Sequence, residues 1–363
     1  AYYIAISAVQ LNQKNADQLI KLFLNEYPTS VNQKSAYLNL ANYYFLNENY
    51  TYALNWYVMV DEQSLSTVKK NSFNFNKGYS FFQNKQYDQA KIYFNKLLYS
   101  SNDLEARYYL GYIAYEGDQY EEASDLFEAV KDEKRYAKDM SYYQADMNFK
   151  LAKFQEAIKL GLEQYDRSSP REKSELSKII GESYFNLENY KEAVLYLQSY
   201  KGKKGKWNNT DYYQLGYAYY KQRNYQMAIN EFNKIVDGNN GVAQNAYYHL
   251  GESYVSLDKK QEALNAFRNA SHMDNDLNIQ EDAWLNYAKI SYEIGNPYQS
   301  VPQVLAAYIA KYPETSYKTE IETLLIDSYI TSKNYLEALK LLEGKKSFEN
   351  KEAYQKVTFY RGI

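Results

Sequence analysis

Histidine and cysteine supply most of the metal-binding and nucleophilic side chains in proteins, and this sequence of 363 residues has few of them. It contains no cysteine and two histidines, His249 and His272, which lie 23 positions apart. Neither histidine has a cysteine or a pair of carboxylates at metal-ligand spacing. We therefore expect both to be ordinary helix or turn residues, and we expect no metal site.

The acidic run from Asp274 to Asp282 resembles a calcium-binding loop in composition. A loop of the EF-hand type starting at Asp274 would need glycine where Ile279 stands and glutamate where Leu285 stands, so the required spacing is missing. Acidic residues also favour the positive end of a helix dipole. The run is therefore interpreted as the start of a helix.

The stretch Gly-Glu-Ser-Tyr occurs twice, at Gly181 and at Gly251, and places a serine after a glycine. A nucleophilic serine on a sharp turn needs a second glycine after it and a strand before it, and the sequence predicts neither. No glycine-rich loop suited to phosphate or dinucleotide binding is present either. We therefore expect a protein that is not an enzyme and that has no cofactor.

Tyrosine is abundant, with 45 copies, and many of these recur at a fixed spacing. Five stretches are nearly the same, namely NYTYA, QYDQA, QYEEA, NYKEA and NYQMA, at residues 49–53, 86–90, 119–123, 189–193 and 224–228. A fixed period of about 35 residues indicates a stacked array of repeats. This organisation favours a binding scaffold over an enzyme.

The alanine that ends each stretch serves as a register mark for the repeats. Marks recur at spacings of 33 to 38 residues, at Ala16, Ala53, Ala90, Ala123, Ala157, Ala193, Ala228, Ala263, Ser300 and Ala338. Twelve residues before the mark, eight repeats have a glycine or alanine: Ala41, Gly78, Gly111, Ala145, Gly181, Gly216, Gly251 and Ala288. Three residues before the mark there is usually an aromatic residue, and four after it a larger, mostly apolar one.

This pattern is typical of a helical hairpin. Two helices cross closely only where one side chain is nearly absent, so we expect the glycine or alanine of the first helix to lie opposite the alanine of the second. Apolar residues three and four positions apart then fill the remaining space. Glycine within a helix costs about 1 kcal/mol relative to alanine, and close packing must offset that cost.

Residues at these positions resemble the tetratricopeptide repeat family, whose repeat is a pair of helices over 34 residues. The best matches are residues 211–232 and 246–267, and the resemblance covers nearly the whole chain. It implies an all-α fold, a right-handed α-α superhelix (a solenoid) of about ten helix-turn-helix repeats. The tenth repeat departs from the pattern, with Ile326 at the small position.

One solenoid over residues 1–363 is expected, because no linker or change of period marks a second domain. The apolar start at residues 1–9 and Gly362 at the place of an eleventh small residue suggest a fragment of a longer array. A net charge of −3 argues against nucleic acid as a partner. The mean hydropathy of −0.71 predicts no transmembrane segment.

Two Tyr-Pro stretches, at residues 26–30 and 311–316, are similar to those in bacterial tetratricopeptide proteins of the Gram-negative envelope. This similarity implies a periplasmic or outer-membrane-associated protein, with the cytoplasm as the alternative. Oligomeric state is not indicated by the sequence.

The resemblance implies that first helices line a concave groove that receives a peptide or helix of a partner protein. The residue after each small position faces that groove and varies between repeats, which indicates that packing does not dictate it. We predict partner contacts from tyrosines at this position, from acids at the same position and from flanking aromatic residues. These are Tyr79, Tyr112 and Tyr217; Asp146, Glu182 and Glu252; and Phe75, Phe82, Tyr108, Tyr115, Tyr213 and Tyr220.

An acidic and aromatic groove suits a basic or apolar segment. A clamp for a carboxyl-terminal carboxylate is disfavoured, because it would need Lys, Asn and Arg where this groove has acids such as Glu105 and Glu175. Carbohydrate binding by stacked tyrosines in an envelope protein is the alternative function, since aromatic rings also offer flat faces to sugars.

Overall fold

The computed structural model describes residues 1–11, 13–133, 135–235, 238–343 and 348–362. Regular structure in these ranges is helical, and the one strand-like contact among them is an isolated antiparallel bridge between Lys203 and Lys206. The all-α fold class predicted from the sequence is confirmed.

The chain divides into two compact units, Ala1–Gln164 and Tyr165–Ile363. Helices of the first unit are α1 (Tyr2–Gln10), α2 (Ala16–Glu26), α3 (Gln33–Leu46), α4 (Tyr50–Tyr57), α5 (Thr67–Gln83), α6 (Tyr87–Asn95), α7 (Asp103–Glu116), α8 (Tyr120–Glu128), α9 (Ala137–Lys150) and α10 (Phe154–Tyr165), which ends at the boundary. A short 3-10 helix, Glu62–Ser64, connects α4 to α5.

The second unit continues the same alternation of helices. Its helices are α11 (Pro170–Asn186), α12 (Tyr190–Leu197), α13 (Asn209–Lys221), α14 (Tyr225–Phe232), α15 (Gly241–Ser256), α16 (Lys260–Ser271), α17 (Leu277–Ile294), α18 (Val301–Lys311), α19 (Lys318–Thr331), α20 (Tyr335–Leu342) and α21 (Phe348–Gly362). Successive pairs from α1–α2 to α19–α20 correspond to the ten predicted repeats. One continuous solenoid over the whole chain stays a prediction.

In the five hairpins with glycine at the small position, this glycine meets a large side chain of the second helix. A Cβ atom added to Gly111 would lie 2.7 Å from Phe127, and one added to Gly216 would lie 2.8 Å from Phe232. These distances are too short for a carbon contact, so the phenylalanine ring fills the space that a side chain would need. The small residue therefore faces the large residue four positions after the mark. The expectation that it would face the alanine mark was wrong.

The alanine marks form the tightly packed inner side of each second helix. Nine of the ten marks are alanines with no exposed surface: Ala16, Ala53, Ala90, Ala123, Ala157, Ala193, Ala228, Ala263 and Ala338. The remaining mark, Ser300 of the ninth repeat, is exposed and precedes α18 as its N-cap residue. The ninth hairpin therefore begins its second helix later than the others.

Most hairpins turn through a residue in the left-handed backbone region. It lies five positions before the mark and is never glycine: Glu48, Lys85, Asp118, Ala152, Glu188, Arg223, Asp258 and Lys333, with φ between 56° and 61°. At Arg223 the amide of the residue donates to the carbonyl of Tyr220, and the amide of Asn224 donates to that of Tyr219. This pair of bonds is the Schellman motif, which satisfies the last carbonyls of the first helix.

Candidate functional site: the aromatic faces of the first helices

Three positions of each first helix share one face, because they are four and three residues apart. They lie three residues before the small position, one residue after it and four residues after it. We call the surface made by these positions the first-helix face. Of the twelve predicted site residues, eleven are half-buried and Glu182 is buried, with 8% of its surface exposed.

In the first unit, Tyr79 lies at the centre of a cluster of rings. Its ring centroid is 5.9 Å from Phe45, 5.5 Å from Tyr50 and 5.3 Å from Tyr109, each in an edge-to-face arrangement. Phe75 stacks on the same tyrosine at 6.0 Å. Such pairs stabilise the fold beyond the area that they bury. Tyr79 therefore has a packing role in addition to any role in binding.

The ring contacts continue along the next two repeats of this unit. Phe82 lies 5.3 Å from Tyr112, and Tyr112 lies 6.0 Å from Tyr143. Tyr108 stacks on Tyr136 at 4.1 Å. Rings from four consecutive first helices, α3 to α9, thus form one connected row, which we call the unit 1 row.

In the second unit, Tyr217 has a similar environment. Its ring lies 5.7 Å from Phe185, 5.9 Å from Tyr190 and 5.0 Å from His249. Tyr213 and Tyr220 flank it on α13, at 5.8 Å and 6.0 Å. These residues, together with Glu252, form the unit 2 row.

His249 lies in a helix, α15, as predicted. The contact of its side chain with these rings was not predicted from the sequence. The imidazole lies 5.0 Å from Tyr220, and its Nδ1 atom lies 2.8 Å from a carboxylate oxygen of Glu252. Tyr109 and Tyr143 occupy the same repeat position, two residues before the small one, and were also missed. Each of these three residues directly follows a tyrosine in the sequence, and this pair of adjacent rings is the signal that could have identified them.

The residue directly after the small position packs against one residue of the preceding repeat. That neighbour lies four positions after the small residue of its own repeat, and the two residue types vary together. Where it is tyrosine, the preceding residue is phenylalanine, in the pairs Phe45–Tyr79, Phe82–Tyr112 and Phe185–Tyr217. At three acidic positions the preceding residue is a tyrosine whose hydroxyl bonds to the carboxylate, in the pairs Tyr115–Asp146, Tyr220–Glu252 and Tyr292–Asp327. Glu182 differs, because the corresponding residue is Phe149 and its carboxylate lies beside Lys178. Neighbouring repeats therefore dictate much of the variation at this position.

The three predicted acids all have partners within the chain. Asp146 accepts a hydrogen bond of 2.5 Å from the Tyr115 hydroxyl. Glu182 lies 3.8 Å from the Lys178 ammonium, which also contacts Asp211 at 2.6 Å. Glu252 is bonded to His249. Much of the negative charge expected in the groove is therefore already engaged.

Burial affects the pKa of three predicted site tyrosines. Burial, together with the hydrogen bond to Asp146, raises the pKa of Tyr115 above its ordinary value. Burial first, and then nearby negative groups, likewise raise the pKa of Tyr213 and Tyr220. These three side chains therefore offer apolar ring surface and neutral hydroxyl groups.

The residues considered for catalysis or metal binding have structural roles. His272 lies at the end of α16, where its Nδ1 is 2.6 Å from the Arg268 carbonyl oxygen, and its ring stacks on Trp284. Asp276 caps α17 by accepting bonds from two backbone amides, so the acidic run is a helix start as predicted. No set of three His, Cys, Asp or Glu residues in the described part of the chain could hold a metal ion.

Nor does any helix among the described residues combine the length and the apolar character needed to cross a membrane.

Comparisons with known proteins relate the chain to helical repeat proteins. The profile of a family described as anaphase-promoting complex, cyclosome, subunit 3 matches residues 83–164 and 199–270. No curated protein sequence matches the chain.

Three solved structures are similar, and the chain covers 98% of each of them. The one named MamA MSR-1 C2 is 18% identical over 48% of this chain, with a TM-score of 0.42. A tetratricopeptide repeat protein from Parabacteroides merdae is 13% identical over 70% of this chain, also with a TM-score of 0.42. The tetratricopeptide domain of P58(IPK) is 13% identical over 91% of this chain, with a TM-score of 0.27.

The helical hairpins, their shared register of small and large residues, and the matching family profile all agree with the repeat pattern of the sequence. The chain therefore has a helical repeat fold, and it is similar to proteins of the tetratricopeptide repeat family.

Proposed function

We propose that this protein is a non-catalytic scaffold that binds a segment of a partner protein along the first-helix face. Tetratricopeptide repeats generally mediate protein–protein interaction. The observation that carries the proposal is the unit 1 row, in which half-buried rings from four consecutive first helices lie side by side. Tyrosine is common at the energetic centres of interfaces, because it buries a large area with little loss of rotamer freedom.

An apolar or aromatic segment fits these rows better than a strongly basic one. Asp146 and Glu252 are bonded to neighbouring side chains, and Glu182 is paired with Lys178. A partner cation would have to compete with these groups for the carboxylates. Ring edges are available without such competition, and they suit apolar side chains.

Affinity capture with matched variants tests the proposal. One variant replaces Tyr79 and Tyr112 with alanine in the unit 1 row, and a second replaces Tyr217 in the unit 2 row. Because a central interface tyrosine typically contributes about 2 kcal/mol or more, we expect loss of one defined partner from at least one of these variants.

Matched controls replace exposed residues on second helices of the same units. Tyr52 on α4 is 53% exposed and Leu195 on α12 is 60% exposed, so alanine at either position keeps the first-helix face intact. Circular dichroism melts establish that each variant is folded. Equal capture by the row variants and the controls would contradict the proposal.

The carbohydrate alternative needs flat ring faces that are open to a sugar. Several rings of the two rows have other rings packed against them, and nothing in their arrangement favours a sugar over a peptide. Quenching of aromatic fluorescence by a panel of oligosaccharides would distinguish the two functions. A periplasmic or outer-membrane location remains a proposal, which fractionation of the source cells would test.

A further inference from the structure

The ninth hairpin differs from the others in its connection. Six residues separate α17, which ends at Ile294, from α18, which begins at Val301, whereas three separate α13 from α14. Gly295 leaves α17 with a φ of 81° and an extended ψ, so the chain departs from the helix instead of turning back at once. The first turn of the second helix is therefore missing in this repeat.

That missing turn normally supplies an aromatic ring. Second helices of seven hairpins begin with such a residue: Tyr50, Tyr87, Tyr120, Phe154, Tyr190, Tyr225 and Tyr335. In the fourth and seventh hairpins, the ring packs edge-to-face, at 6.0 Å, against a first-helix tyrosine, in the pairs Tyr115–Tyr120 and Tyr220–Tyr225. The equivalent residue of the ninth hairpin is Pro297, which lies outside the helix.

Hydrogen bonds hold the connection between α17 and α18 away from the position that the missing ring would occupy. The Asn296 side-chain amide donates to the hydroxyl oxygens of Tyr287 and Ser291 at 2.8 Å, and its Oδ1 atom accepts from the backbone amide of Tyr298. The side chain of Tyr298 bonds to Asn265 on α16 and lies against Arg268. The one ring in the connection therefore packs against α16 and leaves its usual repeat position unfilled.

A cavity of about 470 Å³ lies at this position within the second unit. Its lining consists of Tyr292, Glu293, Ser300, Val301, Pro302, Asp327, Ser328, Thr331 and Ser332, and we call it the α17–α19 pocket. The Tyr292 ring, Val301 and Pro302 supply apolar surface. The serine and threonine hydroxyls and two carboxylates supply the polar part of the lining.

We propose that the α17–α19 pocket receives an aromatic side chain, a tyrosine, from the partner segment. The chain's own repeats provide the argument, because Tyr225 occupies the equivalent place beside Tyr220 and Glu252 in the seventh hairpin. In the ninth, Tyr292 and Asp327 keep the same pairing, with a hydrogen bond of 2.7 Å, but no ring of the hairpin lies beside them. The partner's ring would complete the repeat. This inference rests on the proposed function for the source of the ring.

A cationic side chain is the weaker occupant. Glu293 is already paired with Lys260 at 2.8 Å, and Asp327 already accepts from Tyr292. The amino-terminal end of α18 also faces the pocket, and its partial positive charge opposes a cation. A tyrosine ring avoids this repulsion, and its hydroxyl can bond to the serine and threonine hydroxyls of the rim.

The test uses p-cresol, which is the side chain of tyrosine as a free molecule, and n-propylguanidine, which represents arginine. Each is titrated against the full chain while the methyl signals of Val301 are followed by NMR. We expect p-cresol to shift these signals saturably and n-propylguanidine to leave them nearly unchanged. No partner is needed, so failure here is separate from failure of the capture experiment.

Two tryptophan variants locate the binding. Thr331→Trp places a large side chain at the pocket, and Ser256→Trp is its matched control, because Ser256 has the same repeat position beside the filled site of Tyr225. Both residues are exposed on their helices. We expect Thr331→Trp to weaken p-cresol binding at least about tenfold, since two rings cannot share one volume. Absent or unsaturable p-cresol shifts, tighter binding of n-propylguanidine, or equal effects of both variants would overturn the proposal.

Discussion

At the scale of single residues, the contact between a helix glycine and a ring explains why the register is so regular. Gly111, Gly216 and Gly251 each lie where a Cβ atom would be within 2.8 Å of a phenylalanine ring. Gly241 is different, since the nearest atom to an added Cβ is 4.0 Å away. The two kinds of glycine therefore predict opposite effects of the same substitution.

Gly216→Ala should destabilise the second unit by about 1–3 kcal/mol, because the new methyl group overlaps the ring of Phe232. Gly241→Ala should stabilise it by about 0.5–1 kcal/mol, because helical alanine loses less backbone entropy than glycine. Urea unfolding of the two variants measures both changes. A Gly216→Ala variant as stable as the parent would contradict the assigned packing.

Arg223→Gly should stabilise the chain by a few tenths to about 1 kcal/mol. Arg223 has a φ of 60° and is exposed, and a left-handed conformation costs an L-residue about 1–2 kcal/mol that glycine avoids. Arg223→Ala keeps the strain and serves as the control, with little expected change. A thermal melt that ranks alanine above glycine would show that the turn is not strained as described.

These two positions also show what could be read from the sequence at this scale. The small residue at Gly216 and the large residue at Phe232 have equivalents in most repeats, so their contact could have been predicted from the spacing. The sequence analysis instead expected the glycine to contact the alanine mark. The strained turn position carried no such signal, because Glu48, Lys85, Ala152 and Arg223 share no chemistry. Backbone geometry alone distinguishes that position.

At the scale of helices, pairing between neighbouring repeats accounts for residues that the sequence assigned to partner binding. Tyr115 and Asp146 are 31 residues apart, and Tyr292 and Asp327 are 35 apart. One sequence shows the variation at each position, but it does not show which residue of the preceding helix compensates for it. Partner contacts by these residues therefore stay a prediction alongside their packing role.

Tyr115→Phe should destabilise the first unit by about 1 kcal/mol, because it removes the donor to a half-buried carboxylate. Adding Asp146→Tyr recreates the Phe–Tyr pairing seen at Phe82 and Tyr112, so the double variant should recover about 1 kcal/mol relative to the sum of the single changes. Denaturant unfolding of the three variants gives the coupling.

Tyr217→Phe is the matched control for this series, because none of the hydrogen bonds described here involves the Tyr217 hydroxyl. It should change stability by only a few tenths of a kcal/mol. Strictly additive effects in the double variant would mean that the two helix positions do not depend on each other.

At the scale of the whole molecule, we expect apolar contacts to contribute more to partner binding than the charge of the chain. Net charge is −3, and the acids of the two rows are engaged within the chain. The repeat organisation was readable from the sequence because the same spacing recurs about ten times. The division into two compact units was not, since the repeat pattern passes through residues 164 and 165 without a linker.

Binding of the partner should depend little on salt. Raising sodium chloride from about 50 to about 500 mM should change Kd by less than about threefold, because contacts between apolar rings are not screened. Calorimetry with the captured partner measures the dependence. A steep loss of affinity with salt would instead favour a basic segment and an electrostatic face.

Site-specific photo-cross-linking is the most direct measurement of the central claim, that the first-helix faces bind the partner. p-Benzoylphenylalanine would replace Tyr112 in the unit 1 row or Tyr217 in the unit 2 row, with Tyr52 and Leu195 on second helices as control sites. The account predicts that one partner protein cross-links from a row position and from neither control. Cross-linking from Tyr52 or Leu195, and from neither row, would contradict it.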